Sequence, residues 1–144
     1  MLKQSTLKEA TIAAELALLL WPGHSIEEFT HDMQGYISSE DVAIFLAYYN
    51  DEAIGFAQCQ LRRDYVEGTE SNPVGYLEGL FVKELFRQQG YARLLVTHCE
   101  HWAKRKGCME FASDCELHNE ESLSMHLKLG FTEANRIICF TKKL

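Results

Sequence analysis

Proline is almost missing from this chain: Pro22 and Pro73 are the only two in 144 residues. With so few breakers, a proline-rich linker or polyproline stretch is excluded, and helices and strands meet little interruption. Long apolar runs are missing too, since none approaches the about 20 residues that a membrane-spanning helix needs. The leucine-rich stretch around Ala10–Trp21 is interrupted at helical spacing by Lys8, Glu9 and Glu15, and no small-residue cleavage site follows it. It reads as an amphipathic core helix and not as a signal segment. The cytoplasm is therefore the expected location, and no membrane partner is expected.

Cysteine pairing is missing as well. Cys59, Cys99, Cys108, Cys115 and Cys139 are odd in number and contain no CxxC, which speaks against a disulfide framework and a structural zinc site. Most should be small buried hydrophobes. His98 and His101 stand three apart on a predicted helix, a spacing usual for a half-exposed face, so no metal is expected. Basic residues are in the minority, 14 against 21 acidic, for a net charge of −7. That balance lacks the positive footprint demanded by nucleic acid and favours a cationic substrate.

What the sequence does contain is 47% hydrophobic residues with no repeat and no linker composition. This suits one domain, residues 1–144, around one core. Thr6-Leu7-Lys8-Glu9 and Ser25-Ile26-Glu27-Glu28 both have capping-box spacing. The first predicts a helix to about Leu20, stopped by Pro22-Gly23; the second predicts a shorter one to about Gly35. Val42–Tyr49 and Ala53–Leu61 read as a hairpin joined by Asn50-Asp51-Glu52. Arg62–Pro73 reads as a polar loop and Val74–Val82 as a strand. Gly90–Lys106 is helical, with a basic last turn and Gly107 positioned to end it. Met109–Ser113 is a short strand, Glu120–Leu129 a helix capped near Asn119, and Asn135–Thr141 a last strand. The order predicts an α/β (α+β) domain, a mixed and mostly antiparallel sheet with helices on both faces.

The most informative stretch is the strand Val74–Val82, followed by Arg87-Gln88-Gln89-Gly90-Tyr91-Ala92 and then by a helix. A helix start offers free backbone N–H groups and a positive dipole end to an anion. Gly90 lets the backbone approach a ligand closely, Ala92 keeps the next turn small, and Arg87 adds a cation at the rim. The segment reads as a pyrophosphate cradle.

Arg87-x-x-Gly90-x-Ala92 after a strand, Asn119 opening the last helix and Leu129-Gly130-Phe131 closing it resemble the GNAT superfamily of acyl-CoA-dependent N-acyltransferases. A closer likeness spans nearly the whole chain. Leu20-Trp21-Pro22-Gly23-His24, Arg63-Asp64-Tyr65-Val66, Leu77-Glu78-Gly79, Phe86-Arg87-Gln88 and Ala112-Ser113-Asp114 are similar to the aminoglycoside 6′-N-acetyltransferases. The resemblance implies the GNAT fold, with a splay between two central parallel strands, here Glu78–Val82 and Met109–Ser113. It implies acetyl-CoA as co-substrate on Leu80, Phe81, Val82, Gln88, Gln89, Gly90, Tyr91, Ala92, Arg93 and Asn119. It places a cationic aminoglycoside on Trp21, Tyr65, Glu78 and Asp114, acetylated at its 6′-amine.

Within that frame the residues suggest their own roles. The pantetheine arm can add to the exposed strand edge like another strand, with the Leu80 N–H aimed at the thioester carbonyl. Glu78, between apolar neighbours, must form an ion pair or face a cleft, because an unpartnered buried carboxylate is costly. Two carboxylates, Glu78 and Asp114, suit a substrate with several ammonium groups. They also favour the charged amine, so one of them, Glu78, should accept its proton. Trp21 and Tyr65 offer flat faces for sugar C–H groups and ammonium charges.

Many members of the superfamily carry a tyrosine four residues before the Gly-Phe glycine to protonate the leaving thiolate. This chain has His126 there, as a donor or as a contact for CoA. Cys115 has no identifiable histidine partner, so direct transfer is expected over an acyl-cysteine. The last strand, an apolar edge, would need covering, which predicts a homodimer in which Asn135 contributes to the substrate site. The cofactor motif alone leaves open another amine acceptor, such as a polyamine, a metabolite or a peptide, and a non-catalytic acyl-CoA sensor.

Overall fold

The computed structural model describes residues 1–144. One sheet contains β1 (Leu2–Gln4), β2 (Val42–Tyr49), β3 (Glu52–Arg62), β4 (Val74–Val82) and β5 (Phe111–Ala112), in that spatial order. The first four strands are antiparallel and β5 runs parallel to β4. The helices are α1 (Ala10–Leu20), α2 (Ile26–Ser38), α3 (Tyr91–Arg105) and α4 (Glu120–Lys128). No helix is long and apolar enough to cross a membrane.

Local chemistry explains the boundaries. The Glu9 carboxylate accepts from the Thr6 N–H and hydroxyl, both at 2.7 Å, closing the predicted capping box around a single 3-10 turn before α1. Ser25 accepts from the Glu28 N–H at 3.1 Å and starts α2. That helix runs three residues past Gly35, carrying Ile37 onto the core. Between β2 and β3, Asn50 and Asp51 both take left-handed φ, 47° and 65°. These are the residue types that tolerate the tight two-residue hairpin turn.

Alternation along the strands divides the core. Ile44, Leu46 and Phe56 pack under Ala13, Leu16 and Met33 of α1 and α2. Phe45, Ala57 and Leu77 pack on the other face under Leu95, Cys99 and Trp102 of α3. Helices therefore cover both faces, as predicted. Gly75 is required at the β4–β5 junction: a Cβ there would lie 2.6 Å from the Ala103 Cβ and 2.7 Å from Phe111. Cys59, Cys99 and Cys108 are buried, whereas Cys115 and Cys139 are exposed.

Three expectations change. Arg62 ends β3 instead of opening the loop. The predicted strand Met109–Ser113 shrinks to Phe111–Ala112, and Asn135–Thr141 forms no strand. Ile137, Ile138 and Phe140 of that tail are 65%, 78% and 87% exposed. β-rich composition supplies side chains for a strand, but a ladder also needs a neighbour for its N–H and C=O groups, and the chain offers none here. β5 consequently ends the sheet, and the parallel pair lies at its edge instead of its centre.

Candidate active site

The site starts from one extra residue. On β4, Gly79 pairs with Gln58 and Leu77 with Cys59, leaving Glu78 without a partner. A bulge of this kind re-aims the side chains that follow. Leu77 and Leu80 pack beneath α3, while Glu78 and Gly79 both turn towards α1 and α2. Glu78 enters a cleft of about 310 Å³ there, together with Trp21, His24, Phe29, Asp32 and Tyr36. Gly79 floors it closely: a Cβ would stand 2.5 Å from the Trp21 ring.

Trp21 is half core and half wall. Its ring meets Phe29 and Phe56 edge-on, at 6.4 and 6.1 Å between centroids, and it remains 36% exposed. His24 stacks on Phe29 at 4.7 Å. An aromatic wall beside the Glu78 and Asp32 carboxylates suits a ligand with C–H faces and positive charges.

Glu78 does not stand alone. Arg62 Nε and Nη2 both donate to its Oε1, at 2.9 and 2.7 Å, which leaves Oε2 for the cleft. The same guanidinium lies 3.5 Å over the Tyr76 ring, and the Tyr76 hydroxyl donates to Asp114 Oδ2. Burial, and then the Asp114 carboxylate, push the Tyr76 phenol well above its usual range, so it remains a donor. Arg62 and Tyr76 thus join the two predicted carboxylates into one network. Sequence reasoning missed both. The signal for Arg62 was Glu78 itself, since a carboxylate between Leu77 and Gly79 requires a cation within reach.

His126 lies on α4 facing the end of β5. Its Nδ1 is 2.7 Å from the Ser122 carbonyl and its Nε2 is 2.8 Å from Ser113 Oγ. A carbonyl only accepts, so Nδ1 carries the proton; in the neutral ring Nε2 then accepts from the Ser113 hydroxyl. Phe131, edge-on at 5.2 Å, holds the ring from the side.

Past Tyr76 the strands part. β4 and β5 pair at Gly75–Phe111 and Tyr76–Ala112 only, whereas Leu80, Phe81 and Val82 are laddered to β3 alone. The outer edge of Leu80–Val82 has the form that an extended acyl chain can pair with. Downstream, Gln88 and Gly90 take positive φ of 60° and 91° and turn the chain into α3. The helix opens with Leu94 N–H to the Gly90 carbonyl at 3.0 Å, so the N–H groups of Tyr91, Ala92 and Arg93 have no partner within it. A Cβ on Gly90 would touch nothing within 4 Å, so the turn is open to a ligand. This edge and turn fit acetyl-CoA: strand groups for the amides of its arm, N–H groups for its pyrophosphate.

Several side chains of this region have structural duties too. Arg87 Nε donates to the Val82 carbonyl at 2.7 Å, and Gln89 Nε2 to that of Leu85 at 3.1 Å. Arg93 Nη2 donates to the Lys128 carbonyl at 2.6 Å and closes the end of α4. Asn119 Oδ1 caps α4 by accepting from the Ser122 N–H at 3.0 Å, so its Nδ2 is the donor available to a ligand. Trp21 and Glu78 meet in the cleft, and Asp114 joins them through Tyr76 and Arg62. Tyr65, 78% exposed, lies outside the cleft lining. Asn135 does as well, donating instead to Glu67 Oε1 at 2.7 Å.

A cleft with an acidic floor, a split sheet edge and an open helix start occur here in one domain, and residues 11–131 match the model of the acetyltransferase (GNAT) family. The chain belongs to that family. Among GNAT relatives it is similar to the aminoglycoside N(6')-acetyltransferase type 1 of Salmonella typhimurium, 41% identical over 124 residues that make up 86% of each chain. It is 37% identical to the enzyme of the same name from Stenotrophomonas maltophilia, over 99% of this chain and 93% of the other. In structure it is similar to AAC(6')-Iy in complex with the bisubstrate analogue CoA-S-monomethyl-acetylneamine. That match has a TM-score of 0.96 and 37% identity, over 100% of this chain and 98% of the other. The GNAT chain is thus an acetyltransferase using acetyl-CoA, as the sequence predicted.

Proposed function

We infer that this GNAT enzyme transfers the acetyl group of acetyl-CoA to the 6′-amine of aminoglycoside antibiotics by direct attack, and so confers resistance. The observation that carries the reading is the bulge at Glu78. It puts a carboxylate and the Trp21 wall on one side of β4, directly before the split edge at Leu80. Glu78 Oε2 and Asp114 bind ammonium groups, and Trp21 stacks on a sugar ring. Glu78 takes the proton that turns the bound ammonium into a nucleophile. The Leu80 N–H faces the developing oxyanion, a contact of about 3 kcal/mol.

Thiol release with kanamycin, tobramycin, a 6′-hydroxyl aminoglycoside, spermidine and a lysine peptide tests this. Turnover is expected with the first two alone. Activity confined to spermidine or the peptide moves the acceptor to another amine, and tight acetyl-CoA binding without any turnover makes the chain a sensor.

The enzyme works as a homodimer in this reading. The exposed Ile137, Ile138 and Phe140 are covered by a second copy, and Asn135 and Tyr65 complete the substrate site there. Light scattering should report a dimer, and Ile138→Glu a monomer; a wild-type monomer rejects the proposal.

A further inference from the structure

Acetylating an ammonium requires two protons to leave its nitrogen. The first departs before attack, because only the neutral amine has a lone pair. The second departs once the N–C bond has formed, when the nitrogen is again positive. The products are an amide and a thiol, so one proton ends on sulfur and the other in solvent. Glu78, beside the open cleft, accounts for the first. Its side-chain partner is Arg62, and nothing in the contacts of Glu78 leads towards a departing sulfur.

We propose that Ser113 and His126 form a relay that takes the second proton from the amine and returns it to the CoA sulfur. The proposal rests on the acetyltransferase reading above. Ser113 follows β5 where the strands part: its Oγ lies 3.4 Å from the Leu77 carbonyl, next to Glu78 in the chain, and its own neighbour is Asp114. It therefore stands at the base of the split, beside the backbone of β4 where its pairing with β5 has ended. Behind it, His126 is held in one tautomer by the Ser122 carbonyl, with Nε2 as an acceptor 2.8 Å from Ser113 Oγ. A hydroxyl with a base behind it, and a third group orienting that base, is the arrangement that activates or conveys a proton. Histidine suits the task, since its ring accepts and gives up a proton near neutral pH.

The steps balance. The amine attacks the thioester carbonyl, and the N–C bond forms. Ser113 Oγ accepts the extra proton of that nitrogen while passing its own to His126 Nε2. As the C–S bond breaks, the electron pair leaves on sulfur. His126 returns its proton to Ser113, which donates to the thiolate. The relay ends as it began, and neither residue forms a covalent bond to the acetyl group. His126 thus serves both as base and as acid, and Ser113, which sequence reasoning left unassigned, touches the reacting atoms.

Steady-state kinetics of Ser113→Ala, His126→Gln, the double variant and Ser113→Thr tests the relay. Each single variant should lose about 10²-fold in kcat, the lower end of acid–base catalysis, with KM for acetyl-CoA unchanged. The double variant should lose no more than either single one, as parts of one unit do, and Ser113→Thr, which keeps the hydroxyl, should recover most of the rate. Additive losses, or a change in KM alone, overturn the relay. Full activity of Ser113→Ala does the same while leaving the acetyltransferase reading intact. That reading fails separately if the wild-type protein acetylates no amine.

Discussion

On one side of the sheet, β2 pairs with β3 along its whole length, and Val42–Gln60 to Tyr49–Glu52 is broken only by a shift at Ala47–Tyr48. On the other side, β4 and β5 meet at Gly75 and Tyr76 and then separate. Both halves use β-branched, aromatic and small residues, and both bury one row of side chains under α3. Only their backbone hydrogen bonds differ. A satisfied ladder contributes stability and nothing else, whereas unpaired N–H and C=O groups at the split must find partners outside it. The laddered half holds the fold, and the proposed chemistry lies in the parted half. Substitutions in the two halves should therefore change different observables.

The largest effect is expected at the bulge. Glu78→Gln keeps the shape of the side chain and removes its ability to take a proton, so kcat should fall by about 10²–10⁴-fold. KM for acetyl-CoA and the melting temperature should stay near wild type. Unchanged turnover would take Glu78 out of the base role and weaken the division between the halves. Next comes Gly79→Val. Its Cβ would lie 2.5 Å from the Trp21 ring, so the indole must move. Overpacking of this kind costs about 1–3 kcal/mol. It should appear as an aminoglycoside KM raised about tenfold, with acetyl-CoA KM unmoved; a change in acetyl-CoA KM alone would show that the cleft and the split edge are not separate.

The smallest effect belongs to the laddered side. Lys3 of β1, and then the Thr6 hydroxyl, hold the Glu9 carboxyl down at about 2. A carboxyl depressed in the folded state stabilises it above the ordinary value of 4.5 and loses that contribution as pH falls towards about 2. Glu9→Gln should cost about 1 kcal/mol at neutral pH, the scale of a lost cap. In urea melts the gap to wild type should narrow between pH 5 and pH 2, with turnover at pH 7 unchanged. A gap that stays constant with pH would separate the contribution of Glu9 from its charge.

Local sequence signals carried much of the fold. The capping boxes at Thr6 and Ser25, the Asn50-Asp51 turn and the Gly90 helix start each depend on residues within a few positions, and each is found within three residues of its predicted place. Trp21, Glu78 and Asp114 were legible through resemblance and through the cost of a carboxylate among apolar neighbours. The pairing of strands was harder to read, because register depends on distant residues. Neither the bulge at Glu78 nor the two-residue length of β5 has a local mark. The Arg62–Glu78 contact spans 16 residues and the Ser113–His126 contact 13, so neither appears in any short window. Asn135–Thr141 has a strand's composition and no strand beside it, a fact about its surroundings and not about its residues.

The bulge at Glu78 also bears on how such an enzyme can change. Because one residue is interposed, positions 78 and 79 share a face, while Leu77 and Leu80 on either side keep theirs in the core beneath α3. A change at position 78 alters the cleft while leaving Leu77 and Leu80 packed beneath α3, and mutations in that packing need not reach the cleft. A lineage bearing this irregularity can explore new acceptors at little risk to its fold, a freedom that a regular strand, with its strict alternation, would deny it.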